Sequence, residues 1–140
     1  MVTTSAAIKQ SVVAALRSNL TLKAALTGGI HEGFAPARVQ SYPLLTYNLV
    51  TAPYADDWSN RLIVALVDVF IHAENPVVAN NVDQLVLDTL DRVSLSVTGQ
   101  TNLICYRVTD LPGAVTETAE GKKFYQVGGS YEIWTDQPLS

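Results

Sequence analysis

The sequence predicts an α+β fold in which two main helices pack on one face of a mostly antiparallel or mixed sheet of about five strands. Apolar residues recur at three- and four-residue spacing in two segments, as in amphipathic helices, and alternate strictly in a third, as in a strand. The order of helix, strands, helix and strands favours the α+β class. The chain has 140 residues, 48% of them hydrophobic, which is enough for one domain, residues 1–140, with its own core.

Two long helices and a short helical turn are predicted. The first helix covers residues 5–19, the short turn covers residues 22–26 behind a cap at Thr21, and the second helix begins at Asn75-Pro76. The apolar stripes of the two long helices are Ile8, Val12 and Leu16, and then Val82, Leu85, Val86, Leu90 and Val93. The charged residues of the second helix that we expect to face water are Asp83, Asp88, Asp91 and Arg92.

Five segments rich in β-branched and aromatic residues are predicted to be strands, namely residues 30–34, 43–51, 61–73, 103–109 and 124–135. Residues 61–73 alternate most strictly, yet apolar groups also occupy their second face. Because a sheet covered on one side only is usually polar on the other, we expect another subunit or an inner helix to cover this second face. The candidate subunit-interface residues are Leu62, Val64, Leu66 and Phe70.

A loop over residues 53–61 is predicted between two strands. It combines acidic and aromatic side chains, and large aromatic residues in loops often anchor protein interfaces. A loop that folds back on its own core is the alternative. The candidate partner-contact residues in this loop are Tyr54, Asp56, Asp57, Trp58 and Arg61.

A second polar loop is predicted over residues 110–123, because Pro112, Gly113 and Gly121 interrupt any strand pattern there. One interpretation is a solvated loop, and the other is a flexible arm that becomes ordered on a partner. The candidate partner-contact residues in this arm are Glu117, Glu120, Lys122 and Lys123.

The charge and composition limit the classes of partner. A formal net charge of -4 argues against sequence-independent nucleic-acid binding, which needs a basic surface. The longest apolar run, residues 62–67, is far shorter than the roughly 20 residues that cross a bilayer, so no membrane partner is expected. The single cysteine, Cys105, allows no intramolecular disulfide, which fits a reducing, intracellular origin.

No catalytic residue, metal site or cofactor is predicted. His31 and His72 have no ligand-type partner three or four residues away, and we expect both at the surface or at strand ends. Cys105 lies in a predicted strand, where cysteine is usually a small buried hydrophobe. The pairs Gly28-Gly29 and Gly128-Gly129 lack phosphate-binding patterns and are interpreted as a helix cap and a strand bulge. We therefore expect a protein that is not an enzyme.

The chain resembles the tail terminator or tail completion proteins of long-tailed bacteriophages and prophages over nearly its whole length. The resemblance rests on LTGGI at residues 26–30 after an amphipathic helix, YPLLTY at 42–47 and LVDVF at 66–70. It continues through the second helix, residues 78–93, and a β-hairpin near 125–134.

This resemblance implies a structural virion protein of the tail or neck, assembled in the cytoplasm of a bacterial host. It implies a homohexameric ring that caps the last layer of the tail tube protein and presents a surface to the head connector or completion protein. DNA would pass through the ring without specific binding. Three alternatives remain open: another head–tail joining protein, a small-molecule or peptide binding module, and an enzyme with an unrecognised site.

Overall fold

A computed structural model describes residues 4–34, 41–51, 54–56, 60–95, 101–117 and 121–138 of the chain. These residues form an α+β fold, as the sequence predicts. The elements are α1 (Thr4–Ser18), α2 (Leu20–Ala25), β1 (Ile30–Glu32), β2 (Leu44–Thr51), β3 (Tyr54–Asp56), β4 (Asn60–Ala73), α3 (Pro76–Leu90), β5 (Thr101–Glu117) and β6 (Lys123–Pro138).

The strands form one mixed sheet in the order β1-β2-β4-β6-β5, and β3 pairs with β4 outside this path. The β1–β2 pair is parallel, and the other strand pairs are antiparallel. The prediction of a mostly antiparallel or mixed sheet is therefore confirmed. The long strand β4 lies in the middle, so its two faces show what each side of the sheet contacts.

The side chains of β4 alternate between two environments. Those at odd positions are fully buried and form the core with the apolar stripes of the helices. Both long helices therefore lie on the same side of the sheet, which we call the helix face. The core residues contributed by β4 are Ile63, Ala65, Val67, Val69 and Ile71, and those contributed by α1 and α3 include Ile8, Val12, Leu16, Val82, Val86 and Leu90.

Side-chain caps fix where the helices begin. The side chain of Asn19, rather than that of Thr21, caps α2, because Asn19 Oδ1 accepts a hydrogen bond of 3.1 Å from the Leu22 amide. Asn75 caps α3 and accepts a hydrogen bond of 2.8 Å from the Val77 amide. Proline follows Asn75 at the first helical position, where no backbone donor is needed.

Both predicted loops contain strand residues, so the predicted loop boundaries are wrong. Tyr54–Asp56 forms β3, and β4 already begins at Asn60. The strand β5 continues to Glu117, well beyond the predicted end at Thr109. Pairing with β4 and β6 supplies the backbone hydrogen bonds of these segments, and this tertiary contribution overrides weak local strand propensity.

The pair Gly128-Gly129 is not a bulge, because both residues lie in regular register with β4. A Cβ atom on Gly128 would lie 2.0 Å from the Val69 carbonyl oxygen, and one on Gly129 would lie 2.2 Å from Arg107 Nε. The register shifts lie in the neighbouring strand β5 instead. Gly128 therefore permits close approach of the β4 backbone, and Gly129 permits close approach of the Arg107 guanidinium group.

Candidate assembly surface

The second side of the sheet, which we call the open face, faces away from all three helices. It carries the even-numbered side chains of β4 and their partners on β6 and β5. Val64, Leu66 and Phe70 are half-buried there. Trp134 lies next to Val64 in register, and Ile104 lies next to Trp134. The open face is thus rich in large apolar side chains that no described element covers.

The predicted interface residues therefore share one surface wherever their side chains are described. Val64, Leu66 and Phe70 follow one another along the open face of β4. The backbone of Leu62 pairs with Asp136 in the same strand, and its side chain lies outside the described part of the protein.

Two carboxylates lie among these apolar groups. Ser130 Oγ donates a short hydrogen bond to Asp68 Oδ1. Glu132 Oε1 accepts hydrogen bonds from Tyr106 Oη at 2.9 Å and from Trp134 Nε1 at 2.5 Å. The hydrogen bond to Glu132 raises the pKa of Tyr106, because it stabilises the neutral phenol. All three donors are neutral groups, so neither carboxylate has a cation among these hydrogen-bond partners.

A cavity of about 310 Å³ opens at the end of the open face where β4 meets α3. Phe34, Tyr42 and Phe124 form aromatic walls, and the ring centroids of Tyr42 and Phe124 are 4.6 Å apart. Thr46 Oγ1 lies 2.9 Å from His72 Nε2 inside the same cavity. Burial lowers the pKa of His72, which favours a neutral imidazole near pH 7.

The residues predicted to contact partners divide between the two ends of β4. Tyr54 and Asp56 belong to β3, and Asp56 pairs with Arg61 at the first end. Their side chains, together with Asp57 and Trp58, lie outside the described part of the protein. The described backbone of Tyr54, Asp56 and Arg61 thus places these three residues at one end of β4.

The other predicted contact residues lie at the opposite end, beside the β5–β6 turn. Glu117 pairs with Lys123, and both are exposed. Lys122 Nζ lies 2.9 Å from Glu74 Oε1 and 5.4 Å from the centroid of the Phe124 ring. Glu120 lies outside the described residues. Lys122 thus links the β5–β6 hairpin to the segment before α3. This part of the predicted arm therefore packs against the rest of the protein.

The fourteen residues of β4 separate these two groups by roughly 40 Å at the usual rise per strand residue. The described members of the two sets of candidate contact residues therefore cannot meet at one site of a single chain. They lie at opposite ends of the molecule, with the open face between them.

A polar cluster around Arg107 was not predicted from the sequence. Arg107 Nη2 donates hydrogen bonds to Asp83 Oδ2 at 3.0 Å and to the Gly128 carbonyl at 2.7 Å. Asp110 Oδ1 lies 2.8 Å from Arg107 Nε, and Asp91 Oδ1 accepts a hydrogen bond from the Arg107 amide. The Arg107 side chain is only 10% exposed.

The cluster corrects the prediction that Asp83 and Asp91 face water. Asp83 turns towards β5 because the Arg107 guanidinium, which lies on the helix face, would otherwise be buried without a counter-charge, and Asp91 turns there to accept the hydrogen bond of the Arg107 backbone amide. The cluster joins α3 to β5, beside the backbone bridge between Val93 and Cys105. The feature of the sequence that could have indicated this cluster is Arg107 itself, a charged residue inside a predicted strand that is largely apolar.

The side chains of the histidines and of the cysteine have contacts within the fold. His31 Nε2 lies 2.7 Å from the Gly28 carbonyl oxygen. Cys105 is fully buried, as expected, and burial raises the pKa of its thiol to about 12. Among the described residues, no three His, Cys, Asp or Glu side chains are grouped so that they could hold a metal ion, and no helix is long and apolar enough to span a membrane.

The fold is similar to that of a chain in the virion of a native gene transfer agent particle. The TM-score is 0.76 at 12% sequence identity, and the match covers 95% of this chain and 97% of that chain. A second solved structure matches at a TM-score of 0.41 and 13% identity over 89% of this chain and 94% of that chain. This TM-score is too low to indicate a shared fold. No protein-family model and no curated protein matches the sequence.

Proposed function

We propose that this protein is a structural component of a phage-like virion that caps a tail tube as a homohexameric ring and joins it to the head connector. The observation that carries the proposal is the fold similarity to a chain of a gene transfer agent virion, which extends over nearly the whole of both chains. The resemblance of the sequence to tail terminator proteins supports the same function.

The arrangement of surfaces supports a subunit that contacts different partners in different directions. Residues near Tyr54 and Asp56, with Asp57, Trp58 and Arg61, form the contact region at one end of β4. Glu117, Glu120, Lys122 and Lys123 form the contact region at the other end. One region would contact the tail tube protein and the other the connector, while the open face contacts a neighbouring subunit.

The Leu62, Val64, Leu66 and Phe70 row is the proposed subunit interface. Its apolar side chains are too large and too numerous for a sheet face that stays in water. The function needs no catalytic step, cofactor or membrane, and the net charge of -4 would keep DNA from adhering to the ring as it passes.

The first test is native mass spectrometry of the purified chain over a range of concentrations, followed by electron microscopy of any oligomer. A closed six-fold ring with a central channel is the expected species. The second test interrupts the coding sequence in the bacterium that carries it and images the particles produced. Free heads and unjoined tails are expected, whereas normal joined particles would contradict the proposal.

The aromatic cavity favours a second candidate function, a binding module for a small molecule or a peptide side chain. Its volume of about 310 Å³ falls at the lower end of ligand pockets, and the Thr46–His72 pair supplies polar groups within apolar walls. Thermal melting in the presence of a library of aromatic compounds tests this candidate. A saturable rise in melting temperature that is lost in Phe124→Ala would support it.

A further inference from the structure

We propose that the open face of one subunit is covered by the outer surface of α1 and α2 of a second copy of this chain, in a head-to-tail contact. This inference deepens the proposed function and rests on it only for the closure of the contacts into a ring. It identifies both halves of the interface, whereas the sequence indicated only one.

The open face needs an apolar partner. Leu66 and Phe70 remain half-buried, and Ile104 at its margin is 40% exposed. The helices cover only the opposite face of the sheet, where the alternate residues of β4 are completely buried. A helix laid across the open face would bury this apolar surface as α1 and α3 do on the helix face.

The charge of the open face restricts which surface can cover it. Asp68 and Glu132 are its central charged groups, and each is held by neutral donors. Lys122, at the end of this face beside Phe124, is paired with Glu74, and His72 favours its neutral form near pH 7. An apolar but acidic surface favours an apolar, basic partner.

The outer surface of α1 and α2 has this chemistry. The two helices contain Lys9, Arg17 and Lys23 and no acidic residue. Lys9 Nζ lies 2.6 Å from Glu32 Oε1 of β1, so the exposed Arg17 and Lys23 give this surface its basic character. Small and apolar side chains accompany the charges, since Ala14 is exposed and Leu20 is 75% exposed. Small residues on a helix surface allow its backbone to approach a sheet closely.

The spacing of the charges is compatible with this contact. Arg17 and Lys23 line one groove at the end of α1, so these two basic side chains lie close together. Asp68 and Glu132 lie on adjacent strands, two register positions apart, which corresponds to roughly 8 Å. The long side chains of Arg17 and Lys23 can reach two carboxylates at this separation.

The contact joins two different surfaces, which lie on opposite sides of the sheet. In a pair, one subunit therefore keeps an unused α1–α2 surface and the other keeps an unused open face. Such a heterologous contact repeats until rotation between subunits closes it into a ring. A two-fold symmetric dimer would instead bring identical surfaces together.

The test uses two variants that each block one half of the interface. Leu66→Asp adds a charge to the open face, and Arg17→Glu reverses a charge on α1. Each variant alone should associate more weakly by about 30-fold or more, the effect of losing a hot-spot contact. An equimolar mixture should form a one-to-one heterodimer and nothing larger, because only one compatible pair of surfaces remains.

Matched controls carry equal charge changes elsewhere. Val115→Asp places the same charge on an exposed residue of β5, and Asn80→Glu with Asn81→Glu adds two negative charges to the exposed side of α3. Both controls should assemble like the wild-type chain. Circular dichroism of every variant confirms that it is folded before association is measured.

A cross-linking measurement replaces the first test if a blocking variant fails to fold. Ala14→Cys and Leu66→Cys chains are mixed with a flexible bis-maleimide, while the buried thiol of Cys105 stays unreactive. Mixed dimers should exceed the dimers that either variant forms alone. Equal cross-linking in the mixture and in the single variants overturns the proposed contact.

Failure of this inference differs from failure of the proposed function. Unchanged oligomers of both blocking variants, or no heterodimer in their mixture, would show that the ring uses other surfaces. A heterodimer of the expected type combined with normal virions after interruption of the coding sequence would instead retain the contact and reject the virion function.

Discussion

The two faces of the same sheet differ in how completely the rest of the chain buries their side chains. On the helix face, Val67 and Val69 of β4 are buried among the side chains of α1 and α3. On the open face, Leu66 and Phe70 are only half-buried and lie beside Asp68. One face is completed within the chain, and the other is suited to completion by a partner.

Charged groups on the two faces have different kinds of partner. On the helix face, the Arg107 guanidinium contacts the carboxylates of Asp83 and Asp110, because a buried charge without counter-charges is costly. On the open face, Asp68 and Glu132 have only neutral donors. The buried cation of the helix face is therefore neutralised by carboxylates of the same chain. The carboxylates of the open face are available to a cation of a partner.

The largest expected effect comes from placing a charge on the helix face. Val67→Asp buries a carboxylate among apolar side chains, and we expect it to lower the free energy of unfolding by about 4 kcal/mol or more. Urea unfolding followed by circular dichroism measures the loss. Leu66→Asp, one residue earlier on the open face, is the control and should change the free energy of unfolding by less than about 1 kcal/mol. Equal losses in the two variants would remove the distinction between the faces.

A smaller effect is expected when the charge cluster of the helix face is broken. Arg107→Met leaves Asp83 without its cation, and we expect the free energy of unfolding to fall by about 3 kcal/mol. The exposed Arg92, whose side chain is 86% exposed, provides the control, since Arg92→Met should change stability by less than about 0.5 kcal/mol. A near-neutral Arg107→Met would mean that apolar packing alone holds β5 to α3.

The smallest effect on stability is expected from a charge on the open face. Glu132→Gln keeps the size of the side chain but removes the carboxylate that stabilises the neutral form of Tyr106. The pKa of Tyr106 should therefore fall towards its ordinary value, so the phenol ionises at lower pH. Ultraviolet difference titration against the wild-type chain measures the shift, and exposed Glu117→Gln should leave the titration unchanged. An unchanged curve for Glu132→Gln would reject this hydrogen bond in solution.

Helix periodicity and strand alternation were sufficient to predict the fold class, both long helices and β4. These patterns depend on residues close in sequence, and the burial of alternate β4 residues then requires a covering layer. The second half of β5 was missed because Pro112 and Gly113 give no local strand signal, and β3 was missed because its three residues are too few to show alternation. Those segments become strands through pairing with distant residues.

The candidate site was predicted only in part. The Val64, Leu66 and Phe70 row was found because alternation shows which side chains share a face. The Arg107 cluster was missed because Asp83 and Asp91 occupy helix positions that local periodicity assigns to water. Their approach to Arg107 depends on how α3 crosses the sheet, which no local pattern contains.

The sequence by itself determined the helices, the alternation of β4 and the excess of apolar residues on its second side, because each follows from spacing along one element. Only the tertiary structure decided which strands are neighbours, where Arg107 finds its carboxylates and how the two contact regions are separated. Those features depend on pairing between segments far apart in the chain, and their free energy arises only when the whole sheet has formed.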